Sequence, residues 1–242
     1  MATPHPLEQF DRIFVINLAH RTDRRREMDE QLRRIGLSLE WPRITVFDAV
    51  RPDGPGNFPT LGARGCFMSH LGVLREAQRL GLKRVLVWED DLDFTDDFVQ
   101  VLESMRGEFD AQPWSMFYGT YLAPEGAPAP SGLVIRAEPT TRLVNTQFMA
   151  FQGDAIAAAA DHLTLMMNRA PGHPEGGPMH VDGALNWFRR AHPERLVLLA
   201  AEQMGYERPS RTDVHELAWY DRVPLVRDVV DGLRKLKPSR VA

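Results

Sequence analysis

The sequence predicts an α/β fold with a mostly parallel central sheet flanked by helices, and three features carry that expectation. Residues 12–18 (R-I-F-V-I-N-L) and 84–88 (R-V-L-V-W) are short β-branched and apolar runs without polar alternation, as strands buried on both faces require. Segments with apolar residues three and four apart come between and after them, bounded by capping residues and glycines. Strands alternating with helices of 10–15 residues favour crossover connections, which make neighbouring strands parallel.

Taken in order, residues 12–18 form the first strand. Thr22 or Asp23 caps a helix that carries Met28, Leu32 and Ile35 on one side and ends at Gly36. Residues 44–48 are a second strand. Ser69 caps the next helix, with Leu71, Leu74 and Ala77 on its inner side and Gly81 as its stop. Residues 84–88 are a central strand, and Thr95 opens a helix with Asp96 and Asp97 in its first turn and Phe98, Val101, Leu102 and Met105 as its core stripe. Residues 114–118 and 146–151 read as strands, and residues 154–168 and 183–190 as helices. Two irregular loops rich in proline and glycine, 123–131 and 170–180, are long enough to have a functional use. An amphipathic helix at 223–237, with Leu225, Val229, Leu233 and Leu236 on one face, is an appendage to a single domain over residues 1–242.

A chain of 242 residues buries a core large enough to need neither disulfides nor a structural metal. The net charge of -4 gives no motive for nucleic-acid binding. Cys66 is the sole cysteine, so an internal disulfide and a cysteine-based zinc cluster are both excluded, and the side chain reads as a small buried group. The first ten residues are no signal peptide, and no stretch approaches the roughly 20 apolar residues of a membrane span. A cytoplasmic location is expected, with at most peripheral contact at the inner membrane face through the five Lys/Arg of residues 227–242.

The segment Glu89-Asp90-Asp91-Leu92-Asp93 places four carboxylates in five residues directly after an apolar strand. Such groups repel one another, and burying them without a counter-charge is costly. A hard divalent cation with oxygen ligands, Mn²⁺ or Mg²⁺, relieves both problems. In open α/β sheets ligands collect at the carboxyl ends of strands, where this cluster sits. Extended backbone would put Glu89, Asp91 and Asp93 on one face and Asp90 on the other, which makes Asp91 the first choice as metal ligand. The plainer alternative is a solvated run that caps the following helix.

Three sequence blocks then stand out: V-I-N-L-A-H-R-T-D-R-R from Val15, G-A-R-G-C-F-M-S-H-L-G-V-L-R-E-A from Gly62, and V-L-V-W-E-D-D from Val85. With the weaker N-T-Q-F-M-A-F from Asn145, H-V-D-G-A-L from His180 and S-R-T-D-V from Ser210, they occur in the order of glycosyltransferase family 25, which the chain resembles over roughly residues 12–215. The segment around Gln147 departs from that family in lacking the small residues common there. The resemblance implies a GT-A type nucleotide-diphospho-sugar transferase fold, a UDP-sugar donor, usually UDP-galactose, inversion at the anomeric carbon, and a glycan or lipid-linked saccharide as acceptor.

On that resemblance, Asp91 binds the metal, with Glu89, Asp93 and His215 as further ligands, and Glu89 or Asp90 holds the ribose hydroxyls or a metal-bound water. Asp182 is the candidate base for the acceptor hydroxyl, although an aspartate there would equally serve as a helix cap. Asn17, Arg21, Arg24, Asp48, Ala49, Ser69 and His70 are the candidate donor contacts, with Arg21, Arg24 and Arg25 suited to a diphosphate. The other readings are a nucleotide-sugar hydrolase and a degenerate member that binds a nucleotide-sugar or glycan without turnover.

Overall fold

Strand residues of this chain send alternate side chains to opposite faces, and that alternation builds two cores. In the computed structural model, which describes residues 4–122 and 132–208, β1 (Arg12–Asn17), β2 (Ile44–Asp48), β3 (Arg84–Glu89), β5 (Met116–Tyr118), β6 (Val134–Arg136), β7 (Phe148–Gln152) and β8 (Val197–Ala200) form one sheet. Phe14, Val85, Val87, Met149 and Phe151 enter one core, while Ile13, Val15, Leu86, Trp88 and Phe148 enter the other. Helices α2 (Leu61–Arg79), α4 (Ala155–Asn168) and α5 (Val181–Ala191) cover the first face. Helices α1 (Thr22–Arg34) and α3 (Phe98–Asp110) cover the second. The result is the expected helix–sheet–helix sandwich.

The strand order is β2-β1-β3-β7-β5-β8-β6. β1 pairs in parallel with β2 and β3, and β5 with β8. β7 runs antiparallel to both β3 and β5, and β6 antiparallel to β8. Most strands therefore share one direction, with β7 reversed in the middle of the sheet. A separate ribbon pairs β4 (Leu92–Phe94) with β9 (Gly205–Glu207). The loop 123–131, the block at 210–214, His215 and the helix at 223–237 lie outside the described residues.

Helix α2 begins eight residues before the expected cap. Thr60 is its N-cap, with Oγ1 accepting from the Ala63 amide at 3.0 Å. Ser69 is buried inside the helix: it donates to the Gly65 carbonyl at 2.7 Å and accepts from the Val50 amide at 2.8 Å. The glycines that disguise the helix in the sequence are what let it approach the sheet. A Cβ on Gly65 would stand 2.8 Å from the Val50 carbonyl oxygen. Helix α1 likewise starts from Arg21 as N-cap, with Asp23 in its first turn.

These contacts predict opposite outcomes for one substitution at two helical glycines. Nothing lies near a Cβ at Gly107 in α3, so Gly107→Ala should stabilise the fold by about 0.5–1 kcal/mol. Gly65→Ala forces α2 off the β2 connection and should destabilise by about 1–3 kcal/mol. Urea melts of both variants check the contrast.

Candidate functional site

Three strand ends lie level at one edge of the sheet. Asn17 closes β1 opposite Asp48 of β2, and Ile16 stands opposite Glu89 of β3. A cleft of about 190 Å³ opens above them, between the β1–α1 turn, the segment after β2 and the first turns of α2. Its walls include His20, Arg24, Ala49, Arg51, Cys66 and Ser69, with Glu89 and Asp90 from the end of β3. This is where an open α/β sheet offers room to a ligand.

The backbone turns at Asp90 and Asp91 before β4 begins, so the period-two arrangement expected of the acidic run does not form. Asp90 and Asp91 instead face the same guanidinium. Arg24 Nη1 donates to Asp90 Oδ1 at 2.8 Å and to Asp91 Oδ2 at 3.0 Å, all three side chains being buried or nearly so. Asn17 Nδ2 donates to Asp90 Oδ2 at 2.7 Å, and Gln147 Nε2 donates to Asp91 Oδ1 at 3.0 Å. Gln147 is held in turn by Asn145, whose amide donates to Gln147 Oε1 at 2.9 Å and whose Oδ1 accepts from the Gln147 amide nitrogen at 2.8 Å. Asn145 has φ 89, the left-handed region that asparagine tolerates better than most residues.

Glu89 points toward α2. Thr146 Oγ1 donates to its Oε1 at 2.7 Å, and His70 Nε2 stands 3.2 Å from the same oxygen. Asp93 leaves the cluster altogether. Arg208 Nε and Nη2 donate to its Oδ1 at 2.8 and 2.6 Å, while Arg208 Nη1 donates to Glu27 at 3.0 Å. Asp93 is thus a partner in an ion pair that fastens β4 and β9 to α1, and does not converge with Glu89 and Asp91.

The charges of the cluster are unequal. Burial pushes the Asp91 carboxyl up to about 7, and the fields of Glu89, Asp90 and Glu207 add to that rise although Arg24 opposes it. Burial raises Asp90 as well, against the pull of Arg24 and Asn17. Burial acts the same way on Glu89, but His70, Thr146 and Arg24 outweigh it and hold this carboxyl below its ordinary value. Burial and the fields of Glu89, Asp91 and Asp182 raise the Cys66 thiol.

Residues 10–121, which contain α1, α2, the cleft walls and the acidic turn, match the family model described as glycosyltransferase family 25 (LPS biosynthesis protein). Those residues are similar to glycosyltransferase family 25. Human inactive glycosyltransferase 25 family member 3 is 31% identical over 127 residues, covering 45% of this chain and 21% of that protein. Procollagen galactosyltransferase 1-A of Xenopus laevis is 29% identical over 127 residues with the same coverage. The chain thus spans about a fifth of the length of the curated relatives it matches. Among solved structures, a glycosyltransferase involved in the glycosylation of the major capsid of PBCV-1 has 13% identity, with a TM-score of 0.38 over 78% of this chain and 91% of that one.

Within the matched region, Arg24, Ala49, Ser69, Glu89 and Asp90 line the cleft, and Asn17, His70 and Asp91 stand behind it, each bonded to a lining residue. Arg21 caps α1 and pairs with Asp23 at 2.9 Å, and Asp48 is exposed at the end of β2. Asp182 lies in the first turn of α5, where His180 is the N-cap, so Asp182 does not fill the capping position. Sequence reasoning missed His20, Arg51 and Cys66 as wall residues. His20 and Arg51 each follow a strand closely, which was the available signal. It also missed Arg208, whose role depends on a contact 115 residues distant in the chain.

A pH dependence follows from Asp91. The folded protein keeps this proton up to about pH 7, whereas an ordinary aspartate loses it near 3.8. Between those values the folded state binds more protons, so this group's contribution to stability falls as pH rises and levels off above about pH 7. Asp91→Asn removes that fall. Urea melts at pH 4 to 8 should show the variant gaining on the unsubstituted protein as pH rises.

Proposed function

We propose that this chain is a glycosyltransferase of GT-A type that moves a hexose, galactose first among candidates, from a UDP-sugar to a hydroxyl of a glycan or lipid-linked saccharide, with inversion and with Mn²⁺ or Mg²⁺. The observation that carries this reading is the acidic turn at the floor of a cleft over the carboxyl ends of β1, β2 and β3. The side chains there suit a hard cation in charge and in donor type. Glu89, Asp90 and Asp91 outnumber Arg24, and Asp91 uses only two of about four lone-pair sites on Arg24 and Gln147. Asp91 is the proposed ligand. A bound divalent cation supplies charge stabilisation to the departing diphosphate.

The protein's own groups would do the rest. Arg24 and Asn17 fix Asp90 beside the nucleotide, and Ala49 and Ser69 offer a narrow wall to it. His20 and Arg51 in the cleft wall suit phosphate oxygens. Asp182 accepts the acceptor's hydroxyl proton as the new C–O bond forms and the bond to the diphosphate breaks. The described helices include none long and apolar enough to cross a membrane. The names of relatives such as the human inactive member favour a second reading, a nucleotide-sugar binder without turnover.

Calorimetry with UDP-sugars, with and without Mn²⁺, tests the first reading. Asp91→Asn should lose cation-dependent donor binding, and wild-type affinity in that variant would remove Asp91 as ligand. Asp182→Asn should keep donor affinity and lose transfer by roughly 10²–10⁴-fold. Binding with no UDP release over hours would favour the second reading, and UDP release without transfer a hydrolase.

A further inference from the structure

Two side chains at the cleft, Cys66 and His70, have no part in the proposed transfer, and Glu89 enters it only through its charge. Cys66 and His70 are four residues apart on α2, which puts them on the same side of the helix. Glu89 reaches them from the end of β3. One ligand atom from each of the three lies within 4.8 Å of the others, and among the described residues no other trio of His, Cys, Asp and Glu converges in this way. Cys66 and Glu89 both line the cleft, while His70 is buried beneath.

We propose that Cys66, His70 and Glu89 form a binding site for a borderline-soft divalent cation of the Zn²⁺ class. Thiolate, imidazole and carboxylate together are the donor set of such an ion, whereas Mg²⁺ and Mn²⁺ prefer oxygen alone. Three protein donors with their remaining side open to a cleft match the arrangement in which a fourth position is left for water or a ligand. The support is rigid. Ser69 locks α2 to the Val50 amide between the two helical ligands, and Gly65 lets the helix lie against the Val50 carbonyl. Thr146 fixes Glu89 through Oε1 and so orients the carboxylate. The site shares the cleft proposed for the donor but does not depend on turnover, and it differs from the Asp91 position in donor type.

Because Cys66 is the sole cysteine, any thiolate–metal signal belongs to this site. The full chain, free of added nucleotide, is titrated with Co²⁺. A near-ultraviolet thiolate-to-cobalt charge-transfer band, saturating at one equivalent and reversed by Zn²⁺, is expected. Cys66→Ser should abolish the band, and His70→Ala and Glu89→Gln should each weaken Co²⁺ binding on the order of tenfold or more. Asp91→Asn should leave the band in place, which separates this proposal from the donor-binding reading. A second measurement needs no variant: Zn²⁺ or Cd²⁺ should slow the reaction of Cys66 with a disulfide reagent. Absence of the band together with an unchanged thiol reaction rate overturns the proposal, as does a band that survives both His70→Ala and Glu89→Gln at full affinity.

Discussion

One guanidinium between two carboxylates at the end of β3 decides the geometry of everything around it. Arg24 comes from the first turns of α1, and Asp90 and Asp91 from the turn after β3, so their contact ties α1 to the carboxyl edge of the sheet. Buried charges of this kind contribute little net stability, because desolvation offsets most of the attraction. Removing one partner, by contrast, strands the others without a counter-charge. The cluster is therefore better understood as a device that fixes position: with Arg24 in place, Asp90 faces the cleft and Asp91 faces Gln147.

A second layer of polar contacts holds that arrangement from behind. Asn17 at the end of β1 and Gln147 before β7 each satisfy one carboxylate oxygen, and Asn145 adopts a left-handed backbone while orienting Gln147. The reversed direction of β7 makes this possible. Because β7 runs antiparallel to β3, the segment that enters it, 145–147, arrives at the same edge where β3 ends, and the Glu89 amide bonds to the Gln147 carbonyl. Had β7 been parallel, its amino end would lie at the far edge of the sheet.

Much of this was legible in the residues. The apolar runs announced β1, β2 and β3, and the acidic run announced where the sheet would meet a ligand. Three kinds of information were missing. Strand direction is not written in local pattern, so residues 146–151 read as a strand without revealing that β7 runs backwards. Strands of three residues, such as β4, β6 and β9, are too short to show a period. Pairings across long separations, Arg208 with Asp93 above all, depend on the assembled fold. Gly65 misled in a different way: a glycine that usually interrupts a helix here allows close packing, so Ser69 looked like a cap when it is an interior residue bonded to the segment after β2.

The charge balance sets the terms for any anionic ligand. A nucleoside diphosphate entering the cleft would meet Glu89 and Asp90 on its floor, with Asp91 close behind and Arg24 already engaged by two of them. In surroundings of reduced dielectric that repulsion is strong. On the proposed function, donor and cation then bind as thermodynamically linked partners, each raising the affinity of the other by the same factor. Linkage of that kind needs no conformational change in the protein. It requires only that the fold hold more carboxylate than guanidinium at the end of β3, and the turn at Asp90 and Asp91 does so by presenting two acids to one arginine.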